Sequence, residues 1–253
     1  MDRGRGRSTG DWNTSDFRDL AGDALAGLKL LKNRPDLNPR QIGLWGISQG
    51  GWVVSLAASL CPDVAFVISV SGPGVTPEGQ NAYCVEQWMK AAGYSNAEVN
   101  EARSFYLLSS SYRLTGTNWG ELETARKASQ NKLWYDSNPY LDNDLSGVSK
   151  QWQLIGRYDP APALRKVHCP VLAIFGEMDP FVPAQKSADI WKTTLAQAGN
   201  HDVTIRIFPH ADHTIRDTHN WITLPDFFAL QRDWLMKHVA AASRAPAPAP
   251  KRD

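Results

Sequence analysis

The chain has 253 residues, 42% hydrophobic and 21% charged, which is enough for one large α/β domain or a core of about 150 residues with an insertion. Its 27 basic and 26 acidic side chains leave a formal net charge of +1. No global field therefore draws in nucleic acid or an acidic membrane, and neither is expected as a partner.

Residues 17–33 set Phe17, Leu20, Ala21, Ala24, Leu28 and Leu31 at helical spacing, with Pro35 just beyond, which predicts an amphipathic helix lying on a sheet. Residues 41–46 are a short apolar run between a proline-containing turn and glycines, the pattern of a buried strand. An alanine-rich helix follows over 52–60. The continuous apolar run 64–70 suits a parallel strand covered on both faces. Two similar runs, 170–175 and 203–208, flank a helical stretch at 184–198. Strand and helix alternate, so the predicted fold class is α/β, with a doubly wound, mostly parallel sheet.

Residues 75–166 are too many for a connecting loop and predict an inserted helical cap of three or four helices. Within them Ser95 and Glu98 have capping-box spacing, and Val85, Trp88, Met89 and Ala92 share one face. Phe227, Leu230, Trp234 and Leu235 predict a closing helix over 225–238. The predicted domains are thus a core of 1–74 and 167–240, a cap of 75–166, and a disordered Ala/Pro tail of 241–253, where alternating prolines oppose a helix.

Cys61, Cys84 and Cys169 cannot close a disulfide framework and read as buried free thiols. The start of the chain is polar and arginine-rich, without a signal-peptide core, and no run of about 18 apolar residues occurs. The expected location is the cytoplasm.

Gly46-Ile47-Ser48-Gln49-Gly50 matches the Gly-x-Ser-x-Gly nucleophile elbow in the context that the motif requires, directly after an apolar strand and opening a small-residue helix. The sharp turn strains Ser48 and presents its hydroxyl above the sheet at a helix N-terminus, with flanking glycines letting strand and helix approach. A serine hydroxyl needs a base to take its proton and a carboxylate to orient that base. Asp179 follows the run 170–175 and His213 follows 203–208, in the chain order Ser, Asp, His, so both belong on loops at the carboxyl edge of the sheet. His210 is the rival base, but it lies immediately after the strand with little reach. Glu177 and Asp212 are the rival acids, one closer to the strand end and the other adjoining the base. His168, His201, His219 and His238 read as structural or exposed, and Met178, Trp52 and Trp88 as packing residues. No metal or cofactor motif is present, and none is expected to bind.

The segments 3–12, 43–52, Ser71-Gly72-Pro73-Gly74, 170–179 and Ala211-Asp212-His213-Thr214 resemble bacterial α/β-hydrolases of the esterase, serine-aminopeptidase-like and dipeptidyl-peptidase-like branches. The resemblance runs from Arg3 to about His238 and implies Ser48 as nucleophile, Asp179 as acid and His213 as base. In that family the Arg-Gly-x-Gly-x-Ser segment follows the fourth strand, and the preceding half supplies further strands and a loop carrying the second oxyanion donor. The sheet is therefore expected to lack its N-terminal part here. The strand near 42–46 would lie at an edge open to self-association, and the backbone N–H of Gln49 would be the remaining oxyanion donor.

The function these residues predict is hydrolysis of a carboxylic ester or thioester, on a small-molecule acyl substrate, through an acyl-Ser48 intermediate. Two alternatives stay open: a serine aminopeptidase or dipeptidyl-peptidase-like peptidase, and a catalytically weak remnant acting as a binding domain.

Overall fold

The computed structural model describes residues 3–4, 6–141, 145 and 147–244. Helix α1 (Phe17–Lys32) opens on Asp16, whose carboxylate accepts from the Arg18 and Asp19 amides while the Asp19 side chain accepts from the Asp16 amide. This reciprocal cap satisfies donors that a helix start otherwise leaves unpaired. Strand β1 (Leu44–Ile47), helix α2 (Gln49–Leu60) and strand β2 (Val67–Val70) follow. Six helical segments come next: α3 (Pro77–Ala91), α4 (Asn96–Thr115), α5 (Trp119–Ser129), α6 (Leu133–Ser137), α7 (Lys150–Ile155) and α8 (Ala161–Leu164). The chain then returns to the sheet through β3 (Val171–Gly176), α9 (Ala184–Gln197), β4 (Val203–Phe208) and α10 (Pro225–Arg244).

All strand pairs are parallel, in the order β1-β2-β3-β4. The inner strands β2 and β3 are buried at every residue, which is why their sequences are apolar without alternation. Their side chains still alternate between faces. Val67, Val171, Ala173 and Phe175 pack with Leu28, Val54, Trp191 and Leu195 of α1, α2 and α9. Ile68, Val70, Leu172 and Ile174 pack with Phe208, Ile215, Phe227 and Trp234 on the α10 side. Each buried Val, Leu, Ile or Phe side chain here contributes about 1.5–3 kcal/mol before ordering costs, so the two central strands hold both layers. As expected, β1 lies at an edge, and its Trp45 is 52% exposed.

Between β2 and β3 the helices have a hydrophobic cluster of their own, including Val85, Met89, Val99, Phe105, Leu122 and Trp134. The capping box at Ser95 forms as predicted and starts α4. The helix count exceeds the three or four expected. Three helices have 11 or more residues, whereas α6, α7 and α8 have 5, 6 and 4, too short to leave a periodic signature.

A second difference is at the end of the chain, where α10 continues to Arg244. Residues 241–244, assigned above to the tail, are helical because Ala240, Ala241 and Ala242 favour the helix and the first breaker in the sequence is Pro246. Residues 245–253 lie outside the described residues. Cys84 is buried, Cys61 and Cys169 are half-buried, and all three are free thiols. Among the described residues, no helix is long and apolar enough to cross a membrane.

Candidate active site

Because the strands are parallel, the segments following all four of them emerge at one edge of the sheet. Ser48 stands directly after β1 with φ 55 and ψ −123, and its amide donates to the Val70 carbonyl at 2.8 Å. A left-handed non-glycine residue costs on the order of 1–3 kcal/mol and persists only where its surroundings enforce it. Here the enforcement is backbone contact. A Cβ on Gly46 would lie 2.5 Å from the Gly50 carbonyl oxygen, and one on Gly51 would lie 2.4 Å from the Gly72 Cα. Gly50, the second glycine of the motif, faces open space. The expectation that the motif's two glycines both permit close packing is thus corrected: the helix-side requirement falls on Gly51.

The Ser48 side chain makes no capping bond to the helix it precedes, which leaves its half-buried hydroxyl uncommitted. Gln49 is the first residue of α2, so its N–H is among those that helix geometry leaves without an intrahelical partner, beside the Ser48 side chain.

Asp179 and His213, predicted from separate loops, meet at 2.7 Å between Oδ2 and Nδ1. The other carboxylate oxygen, Oδ1, accepts from the amides of Phe181 at 2.8 Å and Val182 at 3.0 Å, so the group cannot turn without losing bonds. The Asp179 side chain is 1% exposed and that of His213 16%: the carboxylate is sealed and the ring is reachable. With Nδ1 donating to Asp179, the neutral ring keeps its lone pair on Nε2. The loops meet because a Cβ at Gly176 would lie 2.1 Å from the Asp212 carbonyl oxygen, an approach that glycine alone permits. Among the described residues, no direct hydrogen bond joins Ser48 Oγ to His213.

The rival residues are engaged elsewhere. His210 is exposed, its amide donates to Glu177 Oε2 at 3.1 Å, and its ring contacts His219 at 5.5 Å. Asp212 accepts from the Thr214 and Arg216 amides and pairs with the Arg216 guanidinium at 2.8 Å. Its burial works against the charge, but those bonds outweigh it and hold the carboxyl below its ordinary range. His168, His201 and His219 are exposed, and His238 stacks on Trp234 and bonds to Asp202. Trp52 packs against Phe17, and Trp88 against Tyr94. Met178 is 55% exposed beside Asp179, so its expected packing role is corrected.

Two contributions had no signal in the pattern. The Tyr83 hydroxyl donates to the Asp179 carbonyl at 3.0 Å, and the Cys84 thiol to the Phe181 carbonyl at 3.4 Å, which docks α3 onto the Asp179 loop. Burial first, and then the Asp179 charge, push both groups up to about 12. Phe181 presents its ring edge-on to His213 with centroids 5.2 Å apart. Among the described residues, no three His, Cys, Asp or Glu side chains gather where a metal ion could be held.

Comparison with known proteins places this chain in a family. No curated protein sequence matches the chain, but solved structures share its fold. DcsB, solved in complex with a substrate analogue, has a TM-score of 0.55 at 17% identity, over 94% of this chain and 78% of its own. The α/β hydrolase GrgF from Penicillium sp. sh18 has 0.54 at 20% identity, over 94% and 78%. A monoacylglycerol lipase from Paleococcus ferrophilus has 0.51 at 16% identity, over 92% and 80%. At these identities the likeness speaks to the α/β-hydrolase fold. The family described as serine aminopeptidase, S33, matches residues 2–217, and the chain belongs to this family of hydrolases.

Proposed function

We propose that the protein is a serine hydrolase that cleaves a carboxylic ester or thioester of a small acyl substrate. The observation that carries the reading is the 2.7 Å Asp179–His213 bond at the sheet edge where Ser48 stands in its enforced left-handed turn. His213 Nε2 takes the Ser48 proton as Oγ bonds to the acyl carbon, and the carbonyl electron pair moves onto oxygen beside the Gln49 N–H. Collapse expels the alcohol or thiol, which leaves with the proton from His213. Water then repeats the sequence on the acyl-Ser48 ester, releasing the acid and free enzyme. Asp179 keeps the ring in the tautomer that both steps need. The absence of a Ser48–His213 bond does not count against this order, since such bonds tighten when substrate enters.

Residues 75–166 serve in this reading as a cap, a role supported by their separate core and by the contacts of Tyr83 and Cys84 with the acid loop. Replacing Ser48→Ala should lower p-nitrophenyl ester hydrolysis by on the order of 10³-fold or more. Retention of the parent rate would overturn the assignment.

The family match favours a second reading, the same chemistry on a peptide with a free N-terminus. Arylamides with free and blocked N-termini separate the two: cleavage of the free form alone selects the aminopeptidase, and cleavage of esters alone selects the esterase.

A further inference from the structure

Ser71 stands at the carboxyl end of β2 with φ 48 and is fully buried. Nothing in its position calls for a left-handed serine, which is disfavoured unless the fold holds it there. Its amide donates to the Ile174 carbonyl at 2.7 Å, continuing the ladder to β3. Its hydroxyl turns the other way and donates to the backbone carbonyl of His213 at 2.8 Å. The residue before it, Val70, accepts the Ser48 amide at 2.8 Å. The residue after it, Gly72, lies against Gly51 in the first turn of α2, where a Cβ would meet the Gly51 Cα at 2.9 Å. Residues 70–72 therefore touch the elbow on one side and the histidine loop on the other.

Resting on the serine-hydrolase reading, we infer that Ser71 is a positioning residue that sets the distance between Ser48 and His213. Those two side chains share no direct hydrogen bond, so something else must register them. Asp179 grips the imidazole at Nδ1, and a ring held at one nitrogen still pivots about that bond, sweeping Nε2 through an arc. Fixing the His213 carbonyl anchors the backbone from which the ring hangs and so narrows that arc. The Ser71 hydroxyl does so from the strand adjoining β1, with Val70 bonded to Ser48 itself. The bridge from nucleophile to base thus runs through the Val70 carbonyl, the Ser71 backbone and the Ser71 hydroxyl. The left-handed φ turns that hydroxyl toward the histidine loop.

Two variants of the full chain test this. Ser71→Ala removes the hydroxyl, while Ser71→Gly removes it and relieves the backbone, so a folding defect in the first does not obscure the second. Both should be labelled at Ser48 by a fluorophosphonate about 10- to 100-fold more slowly than the parent, with kcat on a p-nitrophenyl ester falling in proportion and KM within about twofold. The downfield proton resonance of the Asp179–His213 bond should persist, since that bond is not touched. Labelling of either variant at the parent rate overturns the inference. So does loss of that resonance together with a lowered thermal midpoint in both variants, which would make Ser71 a general structural support. A parent chain that is not labelled, or a Ser48→Ala chain labelled like the parent, overturns the serine-hydrolase reading and this inference with it. Normal parent labelling with unaffected variants removes only the role of Ser71.

Discussion

In the segments that follow β1, β2 and β4, the non-glycine residues Ser48, Ser71, His210, Ile215 and Trp221 all have left-handed backbones, whereas along the helices from α3 to α8 only Asn118 does among the described residues. The two regions differ in the same way in their glycines. At the sheet edge, a Cβ on Gly51, Gly72 or Gly176 would collide with a segment remote in the chain or with the Ser69 hydroxyl, whereas in the helical region Gly120 of α5 faces open space and Gly156 would meet only its own turn at Trp152. The helical region is built from caps and an apolar cluster that tolerate local change. The sheet edge is built from backbone segments, remote in sequence, that touch. Positive-φ residues and close approaches between remote segments cluster where the candidate site lies, and such backbones persist only where the surrounding structure enforces them.

One substitution made in both regions sharpens the contrast most. Gly176→Ala forces a methyl group toward the Asp212 carbonyl and should cost about 1–3 kcal/mol in urea unfolding, with ester turnover falling further than stability as the His213 loop is displaced. Gly120→Ala should instead stabilise by about 0.4–1 kcal/mol, through a less flexible unfolded chain and better helix propensity. Equal effects at the two glycines would remove the distinction.

Where the two regions meet, at Tyr83, the contact should respond to pH. Burial, with the Asp179 charge second, raises this phenol from 10.0 to about 12 in the folded chain. Between those values the native state holds a proton that the unfolded state has lost, so stability falls as pH rises. The contribution is complete below about pH 10 and disappears as pH passes about 12. Urea titrations across that window should show a shallower decline in Tyr83→Phe than in the parent. The Tyr83 reading fails if the two slopes match.

The smallest effect concerns the sheet's outer strands. On β4, Arg206 is exposed and lies 5.4 Å from the Phe208 ring, a charge of the kind that keeps edges from pairing. On β1 the residue in register with Arg206 is Ile47, and the exposed side chain is that of Trp45, held by a 2.9 Å bond from its indole to Gln231. Self-association through β1 is the expected outcome, visible as a concentration-dependent shift in size-exclusion chromatography that Trp45→Lys abolishes. A shift that survives this substitution would move the contact elsewhere.

Much of this molecule was legible along the chain. The runs that became β2 and β3 are apolar at every position because both faces are covered. The helix start at Phe17 follows from apolar spacing, and that after Ser95 from a capping pair that bonds its own neighbouring amides. Gly46-Ile47-Ser48-Gln49-Gly50 carries its turn within five residues, and Asp179 and His213 could be placed at the carboxyl edge of the sheet because each stands a few positions beyond an apolar run. All of these are local relations, and local relations leave periodicity and spacing in the sequence. The short helices α6, α7 and α8 and the continuation of α10 through its alanines were missed because a single turn, or a run of one small residue, has too little pattern to read.

Only the tertiary structure decided which glycines are obligatory, since Gly51 is set by Gly72 and Gly176 by Asp212. It likewise decided that Tyr83 and Cys84 hold the Asp179 loop, and that the Ser71 hydroxyl reaches His213. Each of these depends on two segments far apart in the chain arriving within bonding or collision distance, and neither segment alone carries a trace of the other.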